Sequence, residues 1–115
     1  MEITISDFGD AGKRVTLVGR LDILGAEKID LPLSVVAGSR TNIVVDMSGV
    51  DFIASIGIRH LVLAARTVAR SARTLVLLNP RPLVSDVLAV AGLQTVLPIV
   101  HGEEEAHAAL SRYAK

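Results

Sequence analysis

The sequence predicts a single α/β domain built on a mixed, mostly parallel sheet of about four to five strands with about four helices. Three observations carry that expectation. After an opening pair of strands, apolar runs of strand character alternate with segments of helical period, in the order β-β-α-β-α-β-α-β-α. The chain has 115 residues, the size of one ordinary domain. Half of its residues are hydrophobic and 21% are charged, which supplies a packed core and argues against disorder.

The elements follow in order. Ile3 to Ser6 alternates and predicts a short edge strand. Asp7 to Lys13 holds two glycines and two aspartates, a turn composition. Arg14 to Leu21 predicts a second strand, antiparallel to the first across that turn. From Asp22 to Arg40 the pattern Ala26, Ile29, Leu33, Val36, Ala37 is helical, but Pro32 interrupts it. Proline removes a backbone donor and clashes with the preceding turn, so a kinked helix, or a loop into a helix starting near Pro32, is expected. Gly38 is a suitable stop. Asn42 to Met47 is nearly all apolar, as for a central strand covered on both faces, and Ser48 to Ala54 reads as a loop.

Ser55 to Ala72 is the strongest helical pattern, with Ile58, Leu61, Val62, Ala65, Val68 and Ala69 on one face. Thr74 to Leu78 predicts a buried strand ended by Asn79-Pro80. Pro82 to Ala91 predicts a short helix with Leu83, Val87 and Val90 inward and Gly92 as its cap. Val96 to Val100 is a last strand. Glu103 to Tyr113 is a last helix, with acids in its first turn and a core stripe of Ala106, Ala109, Leu110 and Tyr113. Strand–helix alternation implies right-handed crossovers, with the helices mainly on one face of the sheet.

Composition closes several functions. Cysteine is absent, which removes disulfides, thiolate catalysis and Cys-ligated zinc. Acidic and basic residues balance at twelve each, Trp is absent, and there are one Tyr and two Phe. Neither a cationic field nor stacking platforms are present, so no nucleic-acid partner is expected. No run approaches the ~18 apolar residues of a membrane span, and MEITISDFGDAG has neither the basic start nor the apolar run of a signal peptide. A cytoplasmic protein is expected.

Placed at ~100° per residue, Ser55, Arg59, Leu63, Arg66 and Arg70 fall within an arc of about 80°, away from the core face. The helix therefore shows solvent a basic stripe broken by Leu63 and topped by Ser55. A serine here is ordinarily a helix cap, because its oxygen accepts from a free backbone N–H. The same free N–H groups and the helix dipole also favour an anion. A phosphate on Ser55 would bring ~−2 charge and three acceptor oxygens, with Arg59 one turn away and Gly57 leaving room. The fold would tolerate that charge; a partner docked there would not.

The segment Ile43 to Leu61, IVVDMSGVDFIASIGIRHL, resembles the signature of the STAS domain of bacterial anti-sigma factor antagonists. In the family an apolar strand ends in Asp, a short loop carries an aromatic residue, and Asp-Ser-Ser-Gly opens an apolar helix. Asp46, Phe52, Ser55 and Gly57 occupy those positions here. Gly19-Arg20-Leu21-Asp22 resembles the family's Gly-x-Leu-Asp at the end of the second strand, and Leu88 to Leu97 its closing helix, Gly-Leu and short strand. The resemblance covers nearly the whole chain.

It implies a STAS-type fold and a binding protein without catalysis or cofactor of its own. The partners implied are an anti-sigma factor with serine kinase activity, bound when the serine is unphosphorylated and released on its phosphorylation, and a serine phosphatase that resets it. Ser55 is then the phosphoacceptor. Asp22, Asp46, Ala54, Ser55, Ile56, Arg59, Leu63 and Arg66 are the partner-binding set, with Asp22 and Asp46 expected near strand ends on the side of Ser55. The chain departs from the family pattern where Ala54 replaces Asp, Ile56 a second Ser, and Arg59 a small residue. Ala54-Ser55-Ile56 is left as an apolar lip that favours protein docking. Relatives also serve as non-phosphorylated subunits of signalling scaffolds and lipid-transport complexes, and that alternative is open.

An enzyme is disfavoured. Ala54-Ser55-Ile56-Gly57 lacks the first glycine of a nucleophile elbow, and His60 faces away from Ser55 on the helix. His101 and His107, six apart, do not share a helical face, so no metal site is expected.

Overall fold

The computed structural model describes residues 1–111. Five strands, β1 (Glu2–Phe8), β2 (Gly12–Leu21), β3 (Ile43–Ile53), β4 (Leu75–Leu78) and β5 (Ile99–Val100), alternate with four helices. The helices are α1 (Ile23–Ala37), α2 (Ser55–Arg70), α3 (Pro82–Val90) and α4 (Glu103–Ser111). The sheet order is β1-β2-β3-β4-β5, with β1 antiparallel to β2 and every other pair parallel. The architecture is the one the alternation predicts.

Both faces of β3 and β4 are covered. Ile43, Val45, Met47, Leu75 and Leu77 join Ile29, Leu33, Leu61, Val68, Val84 and Leu88 in one core beneath α1, α2 and α3. Val44, Val76 and Leu78 point the other way and pack with Phe8, Ala106 and Leu110 under α4. Period-two alternation within fully apolar strands thus feeds two cores at once. Three helices share a face, as expected, and α4 takes the opposite one. Tyr113, expected in the α4 stripe, lies outside the described residues.

Four local expectations are corrected. Ser48 to Ala54 is not a loop: β3 continues to Ile53, with Met47, Val50 and Ile53 buried. The extension is held by parallel pairing of Gly49, Val50, Phe52 and Ile53 with Val18, Gly19, Arg20 and Leu21, across two register shifts. Bulges of this kind let turn-like residues such as Ser48 and Gly49 stay in a ladder. Second, α1 runs through Pro32 from Ile23. The carbonyl that proline leaves unpaired belongs to Lys28, an exposed residue, so water can satisfy it. Third, α3 buries Val84 and Leu88, leaving Leu83, Val87 and Val90 at 69%, 41% and 90% exposure. Fourth, the last strand is only Ile99–Val100, with Val96 and Leu97 in the preceding turn.

One buried polar side chain ties three segments together. Asn42 donates from Nδ2 to the Ala11 carbonyl (3.2 Å) and, at the limit of bonding, to Leu110 (3.5 Å), and its Oδ1 accepts from the Thr74 N–H (3.0 Å). Asn42→Ala strands a buried donor and an acceptor, each costing about 1–3 kcal/mol. Thermal denaturation should show a loss on the order of 2–3 kcal/mol, which lowers Tm by roughly 10 °C in a domain of this size. An unchanged Tm would mean water replaces the amide.

Candidate functional site

Ser55 is the first helical residue of α2 and is exposed. The N-cap is Ala54, in extended geometry, and no side chain caps the helix. Serine therefore does not act as the cap that its position in the sequence suggested. Ala54 donates its N–H to the Leu21 carbonyl (2.9 Å), which pins the tip of α2 to the end of β2. The first turn contains no acidic residue, so nothing within the helix itself offsets its free N–H groups and positive dipole end. Gly57, the buried third residue of α2, sits against Leu21: a Cβ there would lie 2.6 Å from Leu21 Cγ and 2.9 Å from its carbonyl oxygen. Only glycine lets α2 start this close to β2.

Arg59, Leu63, Arg66 and Arg70 are exposed along the same flank, with Leu63 at 46%. Arg59 lies one turn from Ser55, within reach of a group on its oxygen. Ala54 and Ile56 are half-buried. His60 turns toward α1, where its Nδ1 lies 3.4 Å from Asp30, so it is no base for Ser55.

Asp22 comes to the same end of the sheet. Its carboxylate caps α1 by accepting from the Gly25 N–H (2.9 Å). That bond, aided by Arg20 at 3.6 Å, holds its pKa below the usual carboxylate value. Arg20 in turn stacks over Phe52 at 4.2 Å from the ring centre. Asp46 does not join the group. Because β3 continues past it, Asp46 is a mid-strand residue, on the order of 20 Å of strand from Ser55. It faces α4, bonding Ser48 (2.7 Å) and lying 3.4 Å from Arg14, which also binds Glu103. The Glu103 carboxylate chiefly, and Asp46 less strongly, raise the Arg14 pKa against its partial burial. Asp46 is thus part of the clamp between β2 and α4.

Residues 6–100 match the model of the family described as Mlab, STAS domain. The chain belongs to the STAS domain family. This STAS domain is 29% identical over 94 residues, 81% of each chain, to BtrV of Bordetella bronchiseptica, named as a proposed anti-sigma factor antagonist. Its fold is similar to that of an anti-sigma factor antagonist from Mycobacterium paratuberculosis, with a TM-score of 0.85, 19% identity, and 96% and 93% of the two chains covered. It is likewise similar to the anti-sigma factor antagonist SpoIIAA in its unphosphorylated form (TM-score 0.79, 24% identity, 99% and 100% covered). The phosphorylated form of the Bacillus SpoIIAA gives 0.72 at 24% identity, with 95% and 99% covered. At these identities the solved structures establish the STAS fold.

Two exposed apolar residues beside Asp22 are not singled out by the sequence pattern. Ile23 and Leu24, in the first turn of α1 directly after Asp22, are 67% and 70% exposed. The signal was present: α1 is apolar nearly all round, more than one buried stripe can use. Its buried residues, Gly25, Ala26, Ile29, Leu33, Val36 and Ala37, leave Ile23 and Leu24 outside.

Proposed function

We propose that this STAS domain is an anti-sigma factor antagonist of the cytoplasm, acting as a phosphorylation-controlled binder. Unphosphorylated, it holds an anti-sigma factor with serine kinase activity against the tip and basic flank of α2, which frees the sigma factor for transcription. The kinase moves the γ-phosphoryl group of ATP to Ser55 Oγ, leaving ADP, and the complex dissociates. A serine phosphatase hydrolyses the ester and restores binding. The chain is substrate and ligand throughout, with no catalytic group.

The observation that carries this proposal is the Ser55 hydroxyl, exposed at a positive helix end with no acid in its first turn and framed by apolar Ala54 and Ile56. A neutral hydroxyl there is cheap to cover with a partner. A dianion there keeps its contacts with the helix but must shed water to be covered. The relation to BtrV, and a fold shared with an antagonist solved in both phosphorylation states, support the same function.

The contact set we propose is Asp22, Ala54, Ser55, Ile56, Arg59, Leu63 and Arg66; Asp46, mid-strand and engaged with Ser48 and Arg14, is left out of it. Arg66→Glu tests the flank. Calorimetric titration with the anti-sigma factor should show binding weaker by about tenfold or more, or 1.4 kcal/mol, at unchanged Tm. An unaltered complex would move the interface off α2.

A further inference from the structure

The outward side of α1 is apolar, and no described residue covers it. Leu24, Leu31 and Val35 are 70%, 73% and 66% exposed. At ~100° per residue they fall within about 40° of one another, on the side away from the buried stripe. They form a ridge along about 16 Å of helix. The surface helix of a lone domain ordinarily turns polar residues to solvent here, and a continuous apolar row marks an interaction face.

The residues beside the ridge say what fits it. Glu27 lies about 60° to one side of Leu24, and Lys28 about 40° to the other. Both are exposed, and among the described residues neither has an opposite charge at ion-pair distance. On the Lys28 side, between α1 and β1, lies a hollow of about 510 Å³ whose lining includes Ile5, Leu31, Pro32, Val35 and Val36. The face therefore has a negative flank, an apolar ridge, and a flank that combines a positive charge with an apolar hollow.

A second copy of the chain supplies the complement in one orientation. A twofold axis parallel to α1 sets opposite flanks together. Lys28 of each copy then meets Glu27 of the other, and each Leu31 faces the other copy's hollow at the same level along the helix. A twofold that makes the helices antiparallel sets like flanks together, Lys28 against Lys28 and Glu27 against Glu27, which is repulsive.

We propose that the exposed face of α1 pairs in parallel with α1 of a second copy, through Leu24, Leu31 and Val35 and two Lys28–Glu27 pairs, to form a twofold dimer. The association does not depend on Ser55. Because β2 and β3 are parallel, α1 and α2 start at the same end of the sheet. The dimer therefore carries both Ser55 tips at one end.

Sedimentation equilibrium of the full chain, up to about 1 mM, should follow a monomer–dimer equilibrium with Kd of about 100 μM or tighter. Leu31→Glu sets two carboxylates across the axis and should leave the chain monomeric over that range. Leu31 is exposed, so the Tm of the dilute protein should not change. At low ionic strength Glu27→Lys should weaken association by about tenfold, because both flanks then oppose like charges. Adding Lys28→Glu to that variant should restore it. A wild-type chain monomeric at the highest concentration, or a dimer untouched by Leu31→Glu, would overturn the proposal. So would a dimer that Glu27→Lys leaves unchanged, which is the antiparallel result. A monomeric wild type whose complex with the anti-sigma factor is weakened by Leu31→Glu would assign the face to that partner instead.

Discussion

Ser55→Asp should leave the melting temperature unchanged or slightly raised while weakening the complex with the anti-sigma factor by at least about tenfold, or 1.4 kcal/mol. The two effects have opposite signs for one physical reason. In the free chain a carboxylate at the first position of α2 meets the unpaired N–H groups and the positive dipole end, worth about 0.3–1 kcal/mol of stabilisation at an exposed site. In the complex that carboxylate must be desolvated beside Ala54 and Ile56, which offer it no hydrogen bonds. Differential scanning calorimetry of the free protein and titration calorimetry of the complex read the two terms separately. Equal affinity for both forms would sink the switch and favour the family's other role, a non-phosphorylated subunit.

Gly57→Ala should be damaging although it adds a single methyl group. Helix propensity alone would favour alanine by about 1 kcal/mol. Packing opposes it: the new Cβ would stand 2.6 Å from Leu21 Cγ and 2.9 Å from the Leu21 carbonyl, and Leu21 is fully buried. Neither neighbour can withdraw, because that carbonyl already accepts from Ala54. Overpacking of this kind costs about 1–3 kcal/mol, occasionally more, so the clash outweighs the propensity. Tm should fall by roughly 5 °C. Partner affinity should fall with it, because the Ser55 tip is pushed from the end of β2. A raised Tm would show that α2 has slack here.

What the sequence discloses depends on how local the cause is. The exposed arc Ser55–Arg59–Leu63–Arg66–Arg70 is legible because polar and apolar residues on α2 separate cleanly at the helical period. In α3, by contrast, Leu83, Val84, Val87, Leu88 and Val90 fit two adjacent stripes equally well. Packing against the sheet selects Val84 and Leu88, and no local signal records that choice. The extension of β3 is hidden for a related reason. Ser48, Gly49 and Asp51 are turn-forming residues, and only the long partner strand β2 makes them part of a ladder. Asp46 was misplaced as a direct consequence, since a strand end that moves to Ile53 carries the site away from it. At Ala54 and Ser55 the difference is one residue of helix boundary, yet it decides whether the serine oxygen is committed to a cap.

Incubation of the chain with its anti-sigma factor kinase and ATP, followed by peptide mass spectrometry, is the most direct test of Ser55 as the control point. One phosphate is expected, on Ser55, with none taken up by Ser55→Ala. A phosphate on Ser48, Thr67 or Ser71 instead, or none at all, would contradict it.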